Sequence, residues 1–367
     1  MAKKKKILYI VEAMGGGIFT YIVQLANGLA DDFDITVAFG LRKETPKNYA
    51  EYFDQRVNMV RVKSFGRSVN PIKDLKAGRE IKKIVKEVKP DIVHLHSSKA
   101  GVLGRMLISG RKHKMFYTPH GYSFLMEDVS PLKKHFYYAL EKICGKKRCI
   151  TVACGKSEWE KSRKVTKKST YISNGINIET MARVLEECKL QQKPKEKKEF
   201  SVYTLGRISY QKNPELFNEI AELVPEVNFV WIGDGDLRDV LTSKNISVTG
   251  WKSSEEALKL AYSEDVFLLP SRWEGLPISL LEAMYMEKPC IVSNVVGNRD
   301  VIEHKHTGYI CNEAEEFAKV IRMLKKHKDD GAIHKLCASA KNEIEKNYNG
   351  KDFCKKYKKL YLKNGKK

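Results

Sequence analysis

The sequence predicts two doubly wound α/β domains, each built on a parallel sheet, and three observations carry that prediction. Short apolar runs alternate with amphipathic helical patterns through both halves of the chain, which is the signature of strands joined by helical crossovers. At 367 residues the chain exceeds what one hydrophobic core organises, so two domains of roughly 150 to 200 residues are expected. The segment 191–200, QQKPKEKKEF, is polar, highly charged and proline-containing, and a fresh strand pattern begins behind it at Ser201. The expected plan is an N-terminal domain over 1–190, a linker over 191–200, a C-terminal domain over 201–345 and a tail over 346–367.

Residues 6–11 read as the first strand, and Gly15, Gly16 and Gly17 follow it directly, ahead of helical periodicity over 18–29. A glycine loop entering a helix N-terminus can bring backbone amides close to an anion. A tight turn without a ligand fits the same residues, and the dinucleotide spacing G-x-G-x-x-G is absent. Strands over 35–39 and 59–62, a helix over 72–88, a strand over 92–95, a helix over 100–108 and a strand over 115–118 continue the alternation. His94 and His96 point the same way on one strand. No third ligand stands at a fixed spacing, so they read as hydrogen-bonded residues at the sheet edge rather than a metal site. Thr118-Pro119-His120-Gly121-Tyr122 ends the next strand. A histidine held there by proline and glycine can donate to a substrate oxygen without the entropy cost of a mobile loop. A helix over 132–144, a strand over 150–153 and a strand ending at Ile172 then lead into Ser173-Asn174-Gly175-Ile176.

In the second half the strand 201–205 runs into Gly206-Arg207-Ile208-Ser209-Tyr210-Gln211-Lys212-Asn213-Pro214, and Pro214 opens a helix over 216–223. Arg207 and Lys212 thus lie between a strand end and a helix start. A planar guanidinium and a flexible ammonium together neutralise a diphosphate better than either alone, although a solvated basic loop is the bland alternative. Strands follow over 227–232, ending in Gly233-Asp234-Gly235, and over 246–248, ending in Thr249-Gly250-Trp251. The apolar run 266–269 suits a buried parallel strand, Pro277 suits a first helical turn, Lys288-Pro289 stops that helix, and 290–292 begins another strand. Glu274 and Glu282 stand in an E-x7-E spacing. This puts Glu274 at the positive end of the helix beside the amides of Gly275, Leu276 and Ile278, and Glu282 about two turns further on, where it can accept from a vicinal diol such as a ribose. The same spacing occurs on many helices without a site. Here Arg272, Trp273 and Gly275 at the mouth of an apolar strand favour one. A glycine loop at Gly297, a strand over 307–310, a basic helical region from Leu324 and a final helix over 352–362 complete the chain.

The stretch S-R-W-E-G-L-P-I-S-L-L-E-A-M over 271–284, followed by K-P-C-I-V over 288–292, resembles the nucleotide-sugar signature of the retaining GT-B glycosyltransferases of family 4. The order of the weaker motifs before it extends the resemblance over nearly the whole chain. The resemblance implies a GT-B fold, with two Rossmann-like α/β/α domains facing across a cleft and a C-terminal helix crossing back to the first domain. It also implies roles for residues. Gly16 and Gly17 would lie near the acceptor, and His120 would face the transferred sugar. Arg207 and Lys212 would hold the donor pyrophosphate, and backbone at Gly250 and Trp251 the nucleobase. Glu274 would bind the sugar together with Gly275, Leu276, Pro277 and Ile278, and Glu282 would bind the ribose. His120, Arg207, Lys212 and Glu274 would be the catalytic set. The implied reaction moves a hexose or N-acetylhexosamine from a nucleoside-diphosphate sugar, UDP being the commoner family choice, and requires no metal or other cofactor.

The formal charge of +22, from 67 basic and 45 acidic residues, implies attraction to polyanions. The lysines are spread over helices with few interleaved aromatic residues and no zinc-finger or homeodomain pattern, which argues against nucleic acid and leaves an anionic membrane surface as a partner. Residues 7–11 are too short for a signal peptide and run into Glu12, and no window approaches the about 20 apolar residues that span a bilayer. The expectation is a cytoplasmic protein, peripheral at the inner face of the membrane, that extends a prenyl-diphosphate-linked saccharide acceptor. A small soluble acceptor and a non-enzymatic, polyanion-binding α/β module are the alternatives. The eight cysteines include no paired CxxC and read as reduced thiols.

Overall fold

The computed structural model describes residues 3–12, 14–66, 70–191 and 199–363, so most of the expected linker lies outside the described residues. The chain divides into two compact units, residues 1–174 with 351–367 and residues 175–350.

In the first unit β1 (Lys5–Val11), α1 (Gly16–Leu29), β2 (Phe33–Phe39), β3 (Asn58–Arg61), α2 (Pro71–Val88), β4 (Ile92–His96) and α3 (Ser98–Leu107) follow one another. They continue through β5 (Lys114–Thr118), α4 (Pro131–Gly145), β6 (Ile150–Ala153), α5 (Lys156–Val165) and β7 (Ser169–Tyr171). Helices α2 and α4 start as their sequences dictate: Asn70 and Ser130 accept from the amides of Lys73 and Lys133, and Pro71 and Pro131 fill the first turn where no amide is needed. The strands form one parallel sheet in the order β3-β2-β1-β4-β5-β6-β7. Val11 pairs with His96, and His96 with Thr118, so the carboxyl ends of β1, β4 and β5 lie level. Chain order reverses between β1 and β4, and such a switch point leaves a crevice outside the strand ends. His94 and His96 sit on β4 in the middle of this sheet, not at its edge, and both are fully buried.

The second unit contains α6 (Ile178–Gln191), β8 (Ser201–Leu205), α7 (Pro214–Leu223), β9 (Asn228–Ile232), β10 (Ile246–Val248) and α8 (Ser254–Ser263). It continues through β11 (Val266–Leu269), α9 (Ile278–Tyr285), β12 (Cys290–Ser293), β13 (Tyr309–Cys311), α10 (Ala314–Lys326) and α11 (Gly331–Asn347). Its parallel sheet runs β10-β9-β8-β11-β12-β13 and switches between β8 and β11. Helix α6 belongs with this unit because its Arg183 and Glu187 interlock with Glu255 and Lys259 of α8, which puts the division at Asn174-Gly175, ahead of residues 191–200. The helical region expected from Leu324 begins at Ala314 and is broken where Asp330 caps α11.

The last helix, α12 (Gly350–Leu362), returns to the first unit. Phe353, Tyr357 and Tyr361 recur every fourth residue and form one stripe, each at most 2% exposed. A Cβ at Gly28 would run into the Cys354 sulfur, so α1 and α12 approach closely only because residue 28 is glycine. Tyr361 Oη lies 2.6 Å from His94 Nδ1, and the hydroxyls of Tyr357 and Tyr21 are 2.5 Å apart. Lys114 Nζ donates to the carbonyls of Leu360, Tyr361 and Lys363 at 3.0, 2.9 and 2.6 Å, placing a cation at the negative end of the helix. All eight cysteines are free and buried. No helix among the described residues is long and apolar enough to cross a membrane.

Candidate active site

The two loops that leave the switch point of the second sheet, after β8 and after β11, carry Arg207, Lys212 and Glu274. The first begins at Gly206, whose φ of +143° favours glycine. Neighbouring Gly233 is needed as well, since a Cβ there would strike the Gly206 carbonyl. Ile208 N donates to Asp234 O at 2.9 Å and Trp231 Nε1 to Gly206 O at 2.8 Å, which holds the loop against the β9 exit. A single 3-10 turn, Tyr210–Lys212, then delivers Lys212 just before Asn213 caps α7. Arg207 lies partly exposed between Gly206 and Ile208.

The second loop is fastened to the first. Arg272 N donates to Gln211 O at 2.8 Å, and Gln211 Nε2 donates to Trp273 O at 3.0 Å and to Glu274 Oε2 at 3.3 Å. The Arg272 guanidinium lies 4.2 Å from the centre of the Tyr210 ring and pairs with Glu215 at 3.1 Å, so it braces the loops. Lys212 Nζ meets Glu274 Oε1 at 2.8 Å, the two side chains being 17% and 7% exposed. Ser271 Oγ donates to the same oxygen at 2.7 Å. The structure thus brings together two residues that the sequence reading assigned separately, to a pyrophosphate and to a sugar. An ammonium has three donors, and Glu274 takes one of them, so a lysine oriented by its carboxylate can still present N–H groups to further oxygens. Gln211 and Ser271 complete this cluster; both lie inside the motifs quoted from the sequence, but residue type alone assigns neither a role.

A third loop, after β12, closes on Glu274. Glu274 N donates to Val296 O at 3.3 Å. Gly297, at φ +90°, lies so close that a Cβ there would be 2.6 Å from Gly275 O and 2.8 Å from Glu274 Cβ. Pro277, expected inside the first helical turn, is instead the N-cap of α9 with ψ 118°, and no side chain caps this helix. Gly275 and Leu276 bend into Pro277, and α9 begins at Ile278, so the free first amides of the helix, the positive end of its dipole, lie directly behind Glu274 in the chain. Glu282 projects from α9 and keeps partial contact with solvent, yet the surrounding protein desolvates its carboxyl and pushes it up to about 8. Gly250 holds φ +74° behind β10, and Trp251 beside it is 51% exposed, a large aromatic face left open.

The first unit presents a neutral imidazole cluster. His120, at φ +53°, follows β5 in the left-handed region, beside Gly121 at +90°. Glu158 fixes this turn, its carboxylate accepting from Gly121 N at 2.6 Å and from Cys154 N at 2.7 Å. His96 Nδ1 lies 3.1 Å from His120 Nε2, and Cys154 Sγ lies 3.4 Å from His120 Nδ1. Burial pushes His120 down to about 3 and holds His94 and His96 well below the usual histidine range, so each ring has one N–H and one lone pair. His96 Nε2 is buried without a partner. An orphaned N–H is rarer than an orphaned acceptor, which favours His96 Nδ1–H donating to His120 Nε2 and His120 Nδ1–H donating to Cys154. Both ring nitrogens of His120 are therefore engaged. Donation to a substrate oxygen, as expected from the sequence, requires one of these contacts to be exchanged. Tyr21 of α1 packs edge-on against His120 with ring centres 4.6 Å apart, which brings the start of α1 to the same rim. There Gly16 holds φ +54°, and a Cβ on Gly16 or Gly17 would meet nothing within 4 Å. Among the described residues, no group of three or more His, Cys, Asp or Glu side chains could hold a metal ion.

Comparison with known proteins bears on the family and the fold. Residues 15–180 match the model of Glycosyltransferase Family 4, and residues 186–346 match that of Glycosyl transferases group 1. The chain is 30% identical over 340 residues to the Escherichia coli UDP-Gal:alpha-D-GlcNAc-diphosphoundecaprenol alpha-1,3-galactosyltransferase, covering 85% of each protein. Among solved structures, sucrose-phosphate synthase from Thermosynechococcus elongatus superposes with a TM-score of 0.81 at 16% identity, over 98% of each chain. Anabaena HepE in complex with UDP-glucose gives 0.71 at 15% identity, over 97% of this chain and 98% of that one.

Proposed function

The chain is a GT-B glycosyltransferase of family 4 that moves a sugar from a nucleotide-sugar donor to an acceptor, and from that premise we propose its finer chemistry. The donor is a UDP-hexose or UDP-N-acetylhexosamine, the acceptor is a saccharide carried on prenyl diphosphate, and the anomeric configuration is retained. The product serves surface polysaccharide synthesis at the cytoplasmic face of the membrane. The observation that carries the donor half is the Lys212–Glu274 pair, largely buried at a switch point. The Escherichia coli relative, named for UDP-Gal and a diphosphoundecaprenol-linked acceptor, supports both halves.

In this reading the bond from the anomeric carbon to the β-phosphate oxygen breaks as the acceptor oxygen bonds to the same carbon on the same face. The acceptor proton passes to the departing phosphate, and UDP leaves. The charge that develops falls on the diphosphate, and fixed cations already aimed there stabilise it without reorganisation. Lys212 and Arg207 supply those cations. Glu274 orients Lys212 and faces the electron-poor sugar. Glu282 accepts from the ribose hydroxyls, and Gly250 and Trp251 border the base.

The test is transfer of labelled galactose, glucose and N-acetylglucosamine from their UDP forms, in magnesium-free buffer, to GlcNAc-diphosphoundecaprenol and to the lipid-free saccharide. Turnover on the prenyl-linked acceptor with one UDP-sugar is expected, and absence of turnover with every UDP-sugar would reject the donor assignment. The Glu282 role predicts a pH signature. If only the carboxylate accepts from a ribose, UDP affinity should rise about tenfold between pH 7 and about pH 9, as a carboxyl near 8 ionises. Stability should move the other way. The folded chain retains a proton that the unfolded chain has released above its ordinary range near 4.5, so this stabilisation falls as pH rises from about 4.5 through about 8. Glu282→Gln should flatten both dependences, weaken UDP binding and raise the melting temperature at pH 8. Calorimetry and thermal melts across this range check it, and unchanged UDP affinity in the variant would count against the assignment.

A further inference from the structure

We infer that helix α4 is the surface by which this enzyme seats on an anionic lipid bilayer, a reading that deepens the membrane assignment above. The outward face of α4 is an apolar stripe. Leu132, Phe136 and Ile143 are 82%, 59% and 52% exposed, and exposed Ala139 lies between them in the helical repeat. At 100° per residue these four positions fall within about 60° of one another. His135, Lys142 and Lys146 flank the stripe on one side and Lys133 on the other, all of them exposed. The helix has one acid, Glu141, which is 3% exposed and spent on Arg105 at 2.9 Å, so every exposed ionisable side chain on α4 is basic or a histidine. Lys147 and Arg148 extend the basic face beyond its end, and the acids nearest in sequence are Glu127 and Asp128 on the preceding loop. An apolar strip within a basic face is the pattern of a helix that lies in a headgroup layer and is held by both buried area and anionic lipid.

Topology places this stripe beside the chemistry. Helix α4 follows β5, so its N-terminal end, with Leu132 and Phe136, lies at the carboxyl rim of the sheet, where His120 stands two residues beyond the end of β5. Helix α2 also starts at that rim, after β3, and its first turns expose Ile72 at 70% and Leu75 at 59%. A bilayer under this rim would deliver a lipid-linked headgroup to the loops that carry His120 and Gly16 while its acyl chains stayed in the membrane.

The experiment uses the full chain and vesicles of phosphatidylcholine with and without phosphatidylglycerol. Wild type should sediment with the anionic vesicles and be released by salt. The triple variant Leu132→Ser, Phe136→Ser, Ile143→Ser should lose at least about tenfold in vesicle affinity, with UDP binding and transfer to the lipid-free saccharide unchanged. Phe136→Trp should show fluorescence quenching by brominated acyl chains. Binding by wild type with no loss in the triple variant and no quenching would overturn the α4 assignment and leave membrane association standing. Failure of wild type to bind anionic vesicles at low salt would overturn both. A concentration-dependent dimer that the triple variant abolishes, with no vesicle binding, would assign the stripe to a second copy and overturn the proposal.

Discussion

Replacing Lys212 with alanine should lower kcat/KM by roughly 30- to 5,000-fold, the equivalent of about 2 to 5 kcal/mol of transition-state stabilisation. Two effects add. The departing diphosphate loses a positioned cation, and Glu274, only 7% exposed, is left with one donor fewer. The variants separate these effects. Glu274→Gln removes the charge while keeping an acceptor for Ser271 and Lys212, so a purely structural pair predicts that Lys212→Ala, Glu274→Gln recovers stability and activity together. A donor-binding lysine predicts recovered stability with turnover still lost. Because the side chains touch, the two substitutions should couple by about 0.5 to 3 kcal/mol rather than add. Arg207→Ala should fall in the same range. Steady-state kinetics and melts of the four chains decide the matter, and near-wild-type turnover by Lys212→Ala removes the residue from the mechanism.

What the sequence disclosed follows the range of the interactions involved. Strands and helices were legible because periodicity, caps and proline stops are local: Asn70-Pro71 and Ser130-Pro131 start their helices as written. Arg207, Lys212 and Glu274 could be placed at strand ends for the same reason. That Lys212 bonds Glu274 was not legible, because the contact joins loops 62 residues apart and depends on the order of β8 and β11. Gln211 and Ser271 stand inside the quoted motifs, but their part in holding Glu274 appears only once the two loops are brought together. His94 and His96 were expected at a sheet edge because strand order is absent from a strand's own composition. The left-handed turn at His120, which commits both of its ring nitrogens to protein partners, depends on Glu158 gathering two amides from different loops.

Ending the chain at Lys351 should unfold the first unit while sparing the second, the largest stability effect expected anywhere in the molecule. Helix α12 supplies Phe353, Tyr357 and Tyr361 to the first unit, each at most 2% exposed. Removing one buried aromatic side chain costs about 3 to 5 kcal/mol, so losing all three is on the order of 10 kcal/mol, comparable to the whole stability of a domain. Polar losses compound it. His94 Nδ1 and the Tyr21 hydroxyl would lose partners inside a dry core, and Lys114 would lose three carbonyl acceptors. Tyr361→Phe isolates one of these terms and should cost about 1 to 3 kcal/mol, the price of leaving His94 Nδ1 unsatisfied. The second unit keeps its own closure in the truncated chain, since Ile176 N still bonds Tyr348 O at 2.9 Å and Gly350 N still bonds Ile176 O at 2.8 Å. Hydrogen exchange should therefore show protection lost through β4 and β5 but retained through β8 and β11, with UDP still bound and transfer abolished. Wild-type protection in β4 and β5 of the shortened chain would mean that α12 covers a sheet already able to fold without it.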